Sequence, residues 1–120
     1  MPTEDKCCSI VPYFKVPSEN MIPFKALCQE AVEKAKNKEG CLYYGFSFDG
    51  DRAHCREGFE NAEATLAYFI SGGKILREML LISELERLEI HGPETELAKL
   101  REPLAPLDPQ FFTLEFGFRR

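Results

Sequence analysis

The feature that most limits what this chain can fold into is the order in which its apolar period changes. Over residues 8–16 apolar and polar side chains alternate, with Ile10, Phe14 and Val16 set against Ser9, Tyr13 and Lys15. Over residues 21–38 the spacing turns helical: Phe24, Leu27, Cys28, Ala31, Val32 and Ala35 fall on one stripe among charges. Alternation returns twice, over residues 41–49 and 52–59, with Asp49-Gly50 between them as a tight-hairpin signal. A helical pattern opens at Asn61, and alternation resumes over residues 83–91. The order is β-α-β-β-α-β, which predicts an α+β, ferredoxin-like domain: an antiparallel sheet with helices on one face.

Punctuation refines this outline. Pro12 has no N–H to give a ladder, so the first strand should be an edge or be bulged. Ser18 or Asn20 can cap the first helix, and Gly40 can end it in a left-handed conformation. Asn61 can cap the second. Gly72-Gly73 costs helix propensity, so the spacing predicts a break there and a second segment over residues 74–82. Beyond Gly92-Pro93, a short helix over residues 95–101 turns Leu97 and Leu100 inward. Pro103, Pro106 and Pro109 hold an extended connector, and a strand over residues 111–118 closes a single domain spanning residues 1–120.

The net charge of −5 argues against a nucleic-acid backbone or an anionic membrane surface as partner. No apolar run approaches the ~20 residues that span a bilayer. Residues 1–6 are polar and carry Glu4 and Asp5, unlike a secretory signal. Five cysteines, an odd number with no C-x-x-C pair, read as reduced thiols of a cytoplasmic protein and not as a metal site. Large apolar groups stand on both sides of the strands. The side away from the helices should therefore be an apolar patch covered by a second copy, a homodimer with sheets face to face.

Residues 57–69 read E-G-F-E-N-A-E-A-T-L-A-Y-F. This resembles the segment joining strand three to helix two in the antibiotic biosynthesis monooxygenase (ABM) family, in which a Glu precedes an aromatic, a small polar cap and an Ala. Glu57, Phe59, Asn61 and Ala64 stand in those places. Element order and length also agree, and the C-terminal elaboration from Gly92 lies outside the shared core. The chain carries Phe59 where members often have Trp and Tyr68 where they often have His. The resemblance implies a dimeric α/β barrel. Some members oxygenate phenolic or quinol-type aromatics with O₂ and neither metal nor flavin, so no cofactor is expected. A base would help form a phenolate, and polar donors would stabilise the anion in a dry pocket.

On this reading Asn61, Tyr68 and His91 are the candidate catalytic residues. Tyr13, Tyr44, Phe46, Arg56, Phe59 and Phe69 are candidates for holding a small aromatic ligand. His54 shares a strand face with Arg56. Glu57 and Glu115 fall within aromatic strands, where a carboxylate needs a partner or shifts its pKa upward. Arg56, Arg87, Arg119 and Arg120 are at hand, and both carboxylates are read as structurally paired. The alternative to an enzyme is a barrel that binds a small ligand without catalysis or serves as a dimer module. Haem held by His91 is a third reading.

Overall fold

The computed structural model describes residues 4–120; residues 1–3, part of the polar N-terminal stretch, lie outside them. The chain runs β1 (Cys8–Lys15), α1 (Met21–Lys36), β2 (Cys41–Asp49), β3 (Arg52–Phe59), α2 (Ala62–Leu81), β4 (Glu84–Gly92), α3 (Glu94–Leu100) and β5 (Gln110–Thr113). The sheet order is β2-β3-β1-β4-β5. The first four strands are antiparallel neighbours, and β5 joins β4 in parallel. The α+β, ferredoxin-like architecture is the expected one, with a short helix and strand added at the C-terminus.

Alternation decides what each strand buries. In β1 the residues Cys8, Ile10 and Phe14 turn inward, as does Val16 just beyond it; in β3 it is Ala53, Cys55, Glu57 and Phe59; in β4 it is Leu88 and Ile90. Strand β1 sits inside the sheet, so Pro12 does not mark an edge. The ladder to β3 passes from Ile10↔Glu57 to Tyr13↔His54, and the register to β4 shifts between Tyr13 and Phe14. The strand accommodates its missing donor by that irregularity.

Helix α2 is continuous through Gly72 and Gly73, where a break was expected. Two interior glycines cost about 1 kcal/mol each against Ala. Burial of Ala62, Thr65, Tyr68, Gly72 and Met79 against the sheet outweighs that cost. Its N-terminus is doubly held. Asn61 Oδ1 accepts from the Ala64 amide at 2.8 Å, and Glu96 Oε1, fully buried on α3, accepts from the Ala62 amide at 3.0 Å. A carboxylate at a helix N-terminus also meets the positive end of the dipole. Asn20 is the N-cap of α1, but its side chain donates to the Ile82 carbonyl instead of capping.

Gly40 does not end α1 in a left-handed turn: Asn37 is the C-cap, and Gly50 and Gly117 are the glycines with positive φ. Gly40 is instead a point of close approach. A Cβ there would lie 2.5 Å from Ala64 Cβ, which is fixed to α2. Gly40→Ala is expected to lower stability by about 1–3 kcal/mol by overpacking; urea unfolding should show an earlier midpoint at unchanged slope.

The last strand is shorter than expected. It ends at Thr113, and Phe116 and Phe118 are exposed. The outer face of the sheet is also less apolar than expected. It presents Ser9, Tyr13, His54, Arg56, Glu89 and His91 beside Val11, Tyr43 and Phe112, because the period of two sends most large apolar groups to the helix side. No helix among the described residues is long and apolar enough to cross a membrane.

Candidate active site

Two apolar clusters share the helix side of the sheet. One gathers Ile10, Phe59, Tyr68, Leu88, Ile90 and Leu97; the other gathers Phe14, Val16, Phe24, Ala53 and Met79. Where they fail to close on each other lies a cavity of about 50 Å³, walled by strands β1, β2, β3 and β4, by α2, by Ala31 of α1 and by Leu107. One water needs roughly 10–15 Å³ on such a measure, so the space is large enough for a small guest. Its wall is almost wholly apolar, with Ile75, Leu76, Met79, Leu85 and Leu88 facing Phe46 and Phe69. The polar side chains on it are Tyr44, Glu57 and Tyr68.

Strand register sets this trio. Tyr44 and Glu57 are direct partners across β2 and β3. Tyr68 descends from α2 and donates its phenol hydrogen to the Tyr44 oxygen at 2.7 Å. The Tyr44 proton is thereby left to be donated onward. Phe59 packs against the Tyr68 ring at 5.2 Å and fixes its tilt.

Glu57 is 5 % exposed, and no Lys, Arg or His forms an ion pair with it among the described residues. Arg56, its neighbour in sequence, points to the other side of the sheet and lies over the Tyr43 ring. The arginine pairing expected for Glu57 is therefore absent; alternation forbids it. Burial pushes the Glu57 carboxyl up to about 8, opposed only by the hydrogen bond with the Cys55 thiol. Desolvation also drives both phenols well above the ordinary tyrosine range, and the nearby Glu57 charge adds to it. At neutral pH the trio is therefore a protonated acid flanked by two protonated phenols.

The structure brings Tyr44, Phe46, Tyr68 and Phe69 to the cavity wall, and sets Phe59 behind Tyr68. Asn61 is taken up by capping α2. Tyr13, Arg56 and His91 are on the outer face, and the structure does not bring them to this cavity. Tyr13 packs against His54. His91 pairs with Glu89 at 3.0 Å and stacks on Phe112 at 4.8 Å. No group of three or more metal-ligating side chains occurs among the described residues. The five thiols are free; burial pushes Cys8 up to about 11 and Cys28 up to about 12, which makes poor nucleophiles of them. The residue that sequence reasoning assigned to structural pairing is Glu57. Its signal was present: a lone carboxylate on the inward phase Ala53, Cys55, Glu57, Phe59.

Fold and cavity together define the class: a ferredoxin-like, ABM-type domain with a small apolar pocket between helix and sheet. Solved structures agree. MupZ from Pseudomonas fluorescens is 41 % identical over the whole of this chain and 94 % of its own, with a TM-score of 0.94. A putative antibiotic biosynthesis monooxygenase from Chloroflexus aurantiacus J-10-fl is 17 % identical over 72 % of this chain and 92 % of its own, with a TM-score of 0.60. SnoaB, a cofactor-independent oxygenase from Streptomyces nogalater, is 9 % identical over 71 % of this chain and 90 % of its own, with a TM-score of 0.63. The chain belongs with MupZ, and its fold is that of the ABM-type structures. MupZ matches the C-terminal elaboration as well as the core. No family model matches the sequence, and no curated protein does.

Proposed function

We propose that the cavity is the active site of a cofactor-independent, monooxygenase-like enzyme acting on a small aromatic or quinol, with Glu57 exchanging a proton with a substrate oxygen. The observation that carries this reading is a buried carboxyl, with no cationic partner among the described residues, on the wall of an apolar cavity beside a hydrogen-bonded pair of phenols; its desolvation there pushes the pKa up to about 8. A phenolic hydroxyl ionises near pH 10. An ordinary carboxylate is too weak to take that proton at useful rates; one raised to about 8 is better matched. The phenolate gives an electron to O₂, and recombination forms a carbon–oxygen bond as a ring hydroperoxide. The hydroperoxide proton is the one Glu57 removed from the hydroxyl; the ring hydrogen then passes as a proton to the Glu57 carboxylate and from it to the hydroxide that departs as the O–O bond breaks, leaving a quinone and water. The phenol supplies all four electrons. Tyr44 stabilises the oxyanion, and the apolar wall excludes bulk water.

The protonated state of the trio at neutral pH favours a second reading, in which Glu57 is first a proton donor to a substrate oxygen and O₂ is not consumed. The two part on pH. Oxygen uptake with a panel of hydroquinones, rising as pH passes 8, supports the base; product formed without oxygen uptake, at a rate falling through the same range, supports the acid.

A second copy of the chain is the proposed cover for the outer sheet face, where Tyr43, Phe112 and the exposed Phe116 and Phe118 stand. Sedimentation equilibrium at micromolar concentration should give twice the 13.7 kDa chain mass. A monomer at that concentration would remove the dimer.

A further inference from the structure

We propose that Gly72 is a specificity-determining residue: its missing side chain leaves the space beside Tyr68 into which the substrate's uncharged group fits. This rests on the cavity being the site. Gly72 lies on the inward stripe of α2 with Thr65, Tyr68 and Met79. Its backbone is helical, with no positive φ, so the conformational freedom of glycine is not used there. Glycine nevertheless weakens the helix at this point. What remains to explain it is the absent side chain. A Cβ built on Gly72 meets the Tyr68 ring at 3.4–3.7 Å, ordinary contact distances, and those three ring carbons are its nearest neighbours. Nothing steric therefore demands glycine. An added methyl would stand on the cavity wall in contact with the Tyr68 ring and take up part of the space beside it.

The chemistry of the wall defines what is admitted. Among the described residues no lysine or arginine lines the cavity, so an anionic group entering it would be desolvated without a counter-charge. The group admitted is neutral and apolar, with one oxygen to meet Glu57 and Tyr44. Residue 72 sets how wide it can be.

Xenon is a suitable probe, since dry apolar cavities take it up without regard to chemistry. Under xenon pressure the methyl resonances of Leu76, Met79 and Leu88 should shift saturably in the wild type. In Gly72→Ala the affinity should fall about fourfold, the equivalent of one buried methylene. The same variant should unfold about 3–6 °C higher, because the helix gains propensity. Opposite signs in the two readouts are the signature of a cavity-shaping glycine. Unchanged xenon affinity, a lowered melting point, or a wild type that takes up no xenon would each overturn the proposal. Failure of the Glu57 chemistry would appear separately, as an ordinary carboxylate titration with the xenon response intact.

Discussion

Glu57→Gln should lower turnover by about 10²–10⁴-fold while the protein stays folded, the usual worth of a positioned acid or base. The amide has the same shape and hydrogen-bonds as well, but it neither gives nor takes the proton. The pocket around it is built by strand register and by α2, and neither depends on the charge of Glu57. Tyr44→Phe should cost less than Glu57→Gln, because it removes a donor to the developing oxyanion and not the proton carrier. A steady-state assay on the best substrate from the hydroquinone panel checks this, with circular dichroism to verify the fold. Should Glu57→Gln turn over within about threefold of the wild type, well short of a lost acid–base catalyst, the cavity trio is not the catalytic machinery.

A second large effect is on stability against pH. The unfolded chain releases the Glu57 proton near its ordinary value of 4.5, whereas the folded protein holds it to about 8. Between those values the folded state binds more protons than the unfolded one. Stability is therefore greatest at the acid end of that window and falls as pH rises, by about 1.4 kcal/mol per unit. Over the whole interval the loss is on the order of 5 kcal/mol. Above about 8 the contribution is flat. Asp5, Glu63, Glu89 and Glu94 act on the other side: their pKa values are lowered, chiefly by hydrogen bonds, so their contributions are lost at acid pH. Urea unfolding from pH 5 to 9 should show the decline in the wild type and a nearly level line in Glu57→Gln. That variant should then be the more stable of the two at pH 8. A wild-type curve with no slope would mean that Glu57 is ionised in the folded state at little cost.

The fold was legible because it is written in periods. Phe14, Ile10 and Ile90 face the core for the same reason that Ser9 and His91 do not, and that rhythm survives without tertiary information. Gly72-Gly73 misled because local propensity weighs one residue at a time, whereas α2 is held by Tyr68, Met79 and the Glu96 clamp on its N-terminus. Gly40 misled similarly: its reason is Ala64, distant in sequence. The site was half legible. Tyr44 and Tyr68 come from different elements, and nothing in their spacing says that their hydroxyls meet. His91 attracted attention as a titratable imidazole, but the phase of β4 turns it outward. Glu57 was visible as an anomaly, a carboxylate on the inward phase. Sequence could not say that no arginine reaches it, since Arg56 lies one residue away and on the opposite face.

The central claim is that Glu57 is an acid with a pKa near 8, held dry beside Tyr44. Infrared difference spectra of the wild type against Glu57→Gln, taken across pH 4 to 10, measure this directly. A protonated carboxyl C=O band that persists at pH 7 and is half lost near pH 8 is the predicted result. A band already gone by pH 6 would contradict the account.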